Sequence, residues 1–226
     1  MTATGQRALP FTHMPTYASD FIAAKSNAAA RLWLERTPDW PMRRLALWGP
    51  AGSGKTHLLR LWARQAGAAI LAGPQVALEP PVGAVAVDDA HTAPERTLLH
   101  LLNAAHEAGY PVLLAAAEPP ARWSTGLADL ASRLRAVTSV GIGVAEDTLL
   151  RALLARLLAD RQMVVAEAVQ EWILVRLPRT AGAVRTAAAR LDRLGMEKGG
   201  RVTRAEAARM IDEDFAQGSR DAGRVV

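Results

Sequence analysis

Eight residues, Gly49-Pro50-Ala51-Gly52-Ser53-Gly54-Lys55-Thr56, restrict this chain more than any other stretch. They follow the pattern Gly, any four residues, then Gly-Lys-Thr, which builds a phosphate-binding loop only between a strand and a helix. Leu45-Ala46-Leu47-Trp48 before it reads as a buried strand. His57-Leu58-Leu59-Arg60-Leu61-Trp62-Ala63-Arg64 after it reads as a helix, with apolar positions at 58, 59, 61 and 62. Gly52 and Gly54 permit backbone dihedrals closed to other residues and let main-chain N–H groups approach an oxyanion, so Gly49, Gly52, Ser53, Gly54 and His57 join the cradle. The helix start offers unpaired N–H groups and the positive end of its dipole. Lys55 is a point charge for the β- and γ-phosphates, and the Thr56 hydroxyl is a ligand for Mg²⁺. The stretch therefore predicts a nucleotide-binding α/β chain.

A length of 226 residues suits one such domain with a small appendage. There is no cysteine, which excludes a disulfide framework, thiol catalysis and cysteine-based metal sites. No charged-then-apolar leader and no apolar run of membrane-spanning length occurs, so a cytoplasmic protein without a membrane partner is expected. The formal charge of +5 permits nucleic-acid contact. No dense basic run is interleaved with aromatics, however, so DNA contact is expected to be weak or indirect. The histidines lack metal spacing, and no Ser/His/Asp arrangement stands out.

Residues 1–16 read as an extended arm containing Pro10 and Pro15. Within it, Gln6-Arg7-Ala8-Leu9-Pro10-Phe11 is a peptide that could dock extended in a groove through Gln6, Leu9 and Phe11. Residues 17–146 read as the nucleotide-binding core. Its first helix is expected to turn Ala28, Ala29, Leu32 and Trp33 inward. Further strands are expected at Ala68–Ala72, Val82–Val87, Pro111–Ala117 and Ala136–Val144, with helices at Pro94–Ala108 and Leu127–Leu134. Strands alternating with helices imply a parallel sheet. The third strand ends in Asp88-Asp89. Asp88 is placed to hold Mg²⁺, and Asp89 to polarise an attacking water. From residue 147 to 215 only helices are expected: Thr148–Asp160, Ala166–Leu177, Ala183–Leu194 and Thr203–Phe215, a small all-α lid. Residues 216–226 read as a fraying tail.

Several ordered stretches carry a resemblance. Ala24-Lys25-Ser26-Asn27, the loop with His57-Leu58-Leu59, Val87-Asp88-Asp89, Pro119-Pro120, Leu130-Ala131-Ser132-Arg133-Leu134 and Val184-Arg185 together resemble the bacterial replication initiator DnaA, an AAA+ ATPase, over about residues 17–211. The chain stops near where the initiator's DNA-binding helix-turn-helix would begin, and it lacks the long N-terminal interaction domain. It is therefore more similar to the Hda-type regulators of that initiator, as are the Leu-Ala-Ser-Arg-Leu stretch and Arg190-Leu191-Asp192.

The resemblance implies an AAA+ P-loop core with a five-stranded parallel sheet and a C-terminal helical lid. It implies ADP or ATP with Mg²⁺ as cofactors. It implies two partners, the sliding clamp of the replicative polymerase (through Gln6, Leu9 and Phe11) and DnaA itself, and leaves room for a homodimer. Arg7 departs from the usual aliphatic residue in the clamp peptide. Arg133 becomes the arginine finger that reaches a neighbour's nucleotide, a role suited to an always-charged, bidentate guanidinium. Arg185 becomes the lid sensor of bound nucleotide, and Phe21 with Ile22 line the adenine pocket. Ala117 stands where the family has a polar sensor, so binding is implied to persist while the chain's own hydrolysis is weak or absent. The implied role is negative regulation of replication initiation; the alternatives are an ATP-driven helicase loader or remodeller, and a scaffold.

Overall fold

The computed structural model describes residues 22–196 and 203–209. Five strands form one parallel sheet: β1 (Arg44–Trp48), β2 (Ala69–Ala72), β3 (Val85–Asp88), β4 (Val112–Ala116) and β5 (Thr138–Gly141), in the order β2-β3-β4-β1-β5. Parallel neighbours need crossovers, and helices supply them. Helices α1 (Ala28–Glu35) and α2 (Lys55–Ala66) cover one face; α3 (Glu95–Glu107) and α4 (Ala128–Ala136) cover the other.

The period-two alternation of strands explains this sandwich. On β1, Leu45 and Leu47 pack with Leu58, Leu59 and Trp62 of α2, while Ala46 packs with Leu98, Leu101 and Leu102 of α3. Both faces being apolar is what a doubly covered parallel sheet requires. Trp62 stacks on Trp40 with ring centroids 5.1 Å apart, and its Nε1 donates to Thr37 Oγ1 at 2.8 Å. Thr37→Val keeps the shape but strands that buried indole N–H, so a loss of about 1–2 kcal/mol is expected in denaturant melts.

Helices α5 (Asp147–Asp160), α6 (Glu167–Arg176) and α7 (Ala181–Met196), with residues 204–209 also helical, build the lid. Its own core contains Leu150, Leu154, Leu158, Ile173, Val184, Ala188, Leu191 and Ala207. Among the described residues no helix is long and apolar enough to cross a membrane.

The sequence expectations err at three places. Ala28, Ala29 and Leu32 are exposed, and α1 instead buries Ala30 and Leu34. The 3₁₀ turn Lys25–Asn27 enters the helix first, and residues 30 and 34 are the i, i+4 pair that meets the sheet. The third strand starts at Val85, not Val82: Gly83 sits at φ +104° in a turn and Val82 is 90% exposed. The fifth strand is shorter than 136–144, because α4 runs on to Ala136 and the backbone leaves the ladder after Gly141.

Candidate nucleotide site

β1 delivers the chain to the loop, and α2 takes it away. Gly49 has φ +155°, Gly52 +74° and Gly54 +99°. A Cβ on Gly49 would lie 2.4 Å from the Ile142 carbonyl oxygen, which belongs to the chain just past β5. A Cβ on Gly52 would lie 2.7 Å from Thr180 Cβ. Gly54 has open space about it and caps α2 in the left-handed region. The first two glycines thus permit close approach, and the third permits a turn.

Lys55 Nζ donates to the carbonyl oxygens of Gly49 at 2.8 Å and Pro50 at 2.9 Å, so its charge is already folded back over the loop. Burial lowers its pKa from the ordinary lysine value; the negative charges of Asp89 and Asp88 work in the opposite direction. A partly buried cation held over a loop of main-chain groups is a place for an anion. The Ser53 hydroxyl is buried in the loop without a hydrogen-bond partner, a further orphan that a phosphate oxygen would satisfy.

Strand order decides what stands opposite. Because β4 lies between β1 and β3, the residue after β4 separates the loop from the acidic pair after β3. That residue is Ala117, whose carbonyl accepts from Gly49 N–H at 3.2 Å. A methyl group therefore occupies the position beside the loop where the resemblance calls for a polar side chain. Asp88 ends β3, and Asp89 follows at φ +49°, in the left-handed region that non-glycine residues seldom adopt. Its carbonyl accepts from Thr92 Oγ1 at 2.7 Å, and Gly73 passes so close that a Cβ there would meet the same carbonyl at 2.3 Å. The acidic turn is held by the Thr92 hydroxyl and packs closely against Gly73.

The donor set suits Mg²⁺. That ion takes one or two protein oxygens and completes its octahedron with phosphate and water. Thr56 and Asp88 would supply one hydroxyl and one carboxylate. Among the described residues no cluster of three or more His, Asp or Glu side chains is placed to hold a metal by protein ligands alone.

The lid reaches the loop through Thr180, a residue that sequence reading passed over. Its Oγ1 accepts from Ala183 N–H at 3.1 Å, which caps the start of α7, while its methyl face lies on Gly52. The signal was there: a Thr just before an apolar-periodic helix is an N-cap. Arg185 lies one turn further along α7, partly buried, beside Val184, which faces the lid core. The two parts are also stapled at the other end. Ser26 N–H donates to Glu146 Oε1 at 2.8 Å, and Gly143 N–H donates to the Ser26 carbonyl at 2.9 Å. Asn27 is buried and donates to the Ile22 carbonyl at 3.1 Å. Ile22 itself packs against the lid core.

Arg133 lies on α4, with its Nε 3.2 Å from Asp129 Oδ1 one turn earlier. Its ion-pair partner is Asp129, not Asp88 or Asp89. His57 is partly buried in the first turn of α2. Phe21, Gln6, Leu9 and Phe11 lie outside the described residues.

The chain matches no family model and no curated protein sequence. Among solved structures it is similar to domain III of the Thermotoga maritima replication initiation protein DnaA, with a TM-score of 0.76 at 18% identity over 89% of this chain and 97% of that one. AMPPCP-bound DnaA from Aquifex aeolicus gives 0.64 at 17% identity over 77% of this chain and 64% of that one, so this chain spans about two thirds of that protein's length. A RuvB mutant from Thermotoga maritima gives 0.64 at 19% identity over 85% and 70%. The fold is therefore the DnaA-like AAA+ fold, a five-stranded parallel core with a helical lid.

Proposed function

We propose that this chain is an adenine-nucleotide-binding regulator that tethers to the polymerase sliding clamp and promotes ATP hydrolysis by DnaA, rather than an ATPase that turns over by itself. One observation carries the reading: the phosphate loop is complete while Ala117 fills the sensor position beside it. A methyl group neither orients water nor contacts a γ-phosphate, so holding nucleotide and hydrolysing it come apart here. The likeness in fold to an AMPPCP-bound DnaA supports adenosine di- or triphosphate as the ligand.

In this reading Lys55, the loop N–H groups and Ser53 hold the phosphates. Thr56 and Asp88 hold Mg²⁺, which would supply charge neutralisation between phosphate oxygens. Thr180 and Arg185 report the ligand to the lid, Ile22 with Phe21 closes over the base, and Asp89 is left without the neighbour it would need to position water. Gln6, Leu9 and Phe11 form the clamp peptide. Such short peptides bind weakly alone and gain from a second contact through effective concentration. That second contact is DnaA, whose nucleotide Arg133 would reach.

The test is ATP hydrolysis by the initiator in the presence of clamp loaded on DNA. Wild-type chain is expected to stimulate, and Arg133→Ala to lose that stimulation by about 10³-fold at the chemical step, the low end of arginine-finger effects. Gln6→Ala is expected to shift the half-maximal concentration upward while leaving the plateau. Stimulation by Arg133→Ala equal to wild type would falsify the mechanism. Brisk hydrolysis by the isolated chain would favour a remodeller instead.

A further inference from the structure

Residues 142–146 carry the chain from the core into the lid, since β5 ends at Gly141 and α5 begins at Asp147. This short crossing touches two parts of the candidate site. At the phosphate loop, Ile142 N–H donates to the Trp48 carbonyl at 2.7 Å, and the Ile142 carbonyl oxygen packs against Gly49. At its other side the crossing grips Ser26 by both backbone groups. Gly143 N–H donates to the Ser26 carbonyl at 2.9 Å, and Ser26 N–H donates to Glu146 Oε1 at 2.8 Å.

Glu146 is the unusual member. It stands at the N-cap of α5 with φ −74° and ψ 155°, yet its carboxylate makes no hydrogen bond to the first N–H groups of that helix. Ser, Thr, Asp and Asn are the preferred caps, because their short side chains fold back onto the helix start. The glutamate instead reaches a backbone amide 120 residues earlier. A hydrogen bond to an ionised group is roughly twice as strong as a neutral one.

Ser26 belongs to a segment tied to the lid. Asn27 is buried; its Oδ1 accepts from Ala24 N–H at 3.1 Å, and its Nδ2 donates to the Ile22 carbonyl at 3.1 Å. Ile22 packs against the lid core, which includes Ala145 next to Glu146. Residues 22–27 therefore hang from the lid and its approach, whereas the phosphate loop is built between β1 and α2 of the core.

We infer that Glu146 is a positioning residue for the nucleoside half of the ligand. It fixes the 22–27 segment to the start of the lid, so the wall beside the base is set by the lid and the phosphate cradle by the core. Loosening Glu146 then weakens the grip on the base and leaves the grip on the phosphates. The inference rests on the nucleotide-binding part of the function proposed above.

Calorimetric titration of the full chain with ADP, and separately with inorganic tripolyphosphate, which has no base, tests it. Glu146→Ser gives up the reach to Ser26 but puts a preferred cap at the start of α5, so a residue that served only the helix would show unaltered binding and an equal or higher melting temperature. The expected result is an ADP affinity lower by about tenfold, the scale of one hydrogen bond to a charged group, with tripolyphosphate affinity unchanged. Glu146→Gln keeps an acceptor oxygen at the same reach and is expected to recover most of the loss. Amide exchange at Ser26 in the unliganded chain is expected to be faster in the Ser variant than in the wild type. ADP affinity equal to wild type, equal losses for ADP and tripolyphosphate, or unchanged exchange at Ser26 overturns the proposal. A Ser variant that fails to fold overturns it too, because the fold itself would then need Glu146. Wild-type chain that binds neither ligand sinks the nucleotide reading; wild-type chain that binds both, with no difference in the Ser variant, sinks only the role of Glu146.

Discussion

Lys55→Ala is expected to abolish nucleotide binding at concentrations that saturate the wild type. The loss expected is about 10²-fold or more, since a lysine bridging two phosphates makes charge-assisted contacts of roughly 1.5–3 kcal/mol each. Titration with adenosine di- and triphosphate, followed by calorimetry, reads it directly. The unliganded fold should hardly change. Two hydrogen bonds, to the Gly49 and Pro50 carbonyls, disappear, but so does the cost of a partly buried ammonium. The pH dependence has a definite sign. Burial depresses the Lys55 pKa, so the folded chain gives up this proton at a lower pH than the unfolded chain does. The group's unfavourable contribution to stability is present in full below the folded value and vanishes as pH rises to the ordinary lysine value. Nucleotide affinity moves the other way, falling over the same window as the charge is lost. Affinity that survives Lys55→Ala would place the phosphates elsewhere.

Gly49→Ala should destabilise the core outright. The methyl group would meet the Ile142 carbonyl oxygen at 2.4 Å, and both partners are backbone, so neither can swing aside. Ile142 N–H is bonded to the Trp48 carbonyl at 2.7 Å, which ties the chain past β5 to the end of β1. The φ of +155° adds strain of its own. The expected loss is about 3 kcal/mol, or a fall of about 6–12 °C in melting temperature for a chain of this size. Gly54→Ala supplies the contrast. It has positive φ but open space around it, so it should cost about 1–2 kcal/mol, the strain of the left-handed region by itself.

The phosphate loop was legible because its requirements are local. A strand, three glycines, a lysine and a helix are contiguous, and each residue's role follows from its own backbone or charge. The order of later elements was legible for the same reason: alternating strand and helix patterns admit a parallel sheet. The misread positions share a different property. Whether Ala28 or Ala30 faced inward depended on the 3₁₀ turn before α1 and on which sheet surface was free. Whether Val82 joined β3 depended on a turn at Gly83. Trp62 looked like ordinary core, yet its indole N–H needed Thr37, 25 residues earlier in the chain.

Residue by residue, then, the sequence determined a cradle for phosphate, the acidic pair after the third strand and the absence of a polar group at position 117. Only the tertiary structure set β4 between β1 and β3, so that Ala117 stands between loop and acids. Only it laid Thr180 on Gly52, and brought the Glu146 carboxylate to Ser26. The physical reason is range. Backbone dihedrals and side-chain chemistry act within a few residues, whereas burial and charge–charge contacts are fixed by groups far apart in the chain, and only packing brings those together.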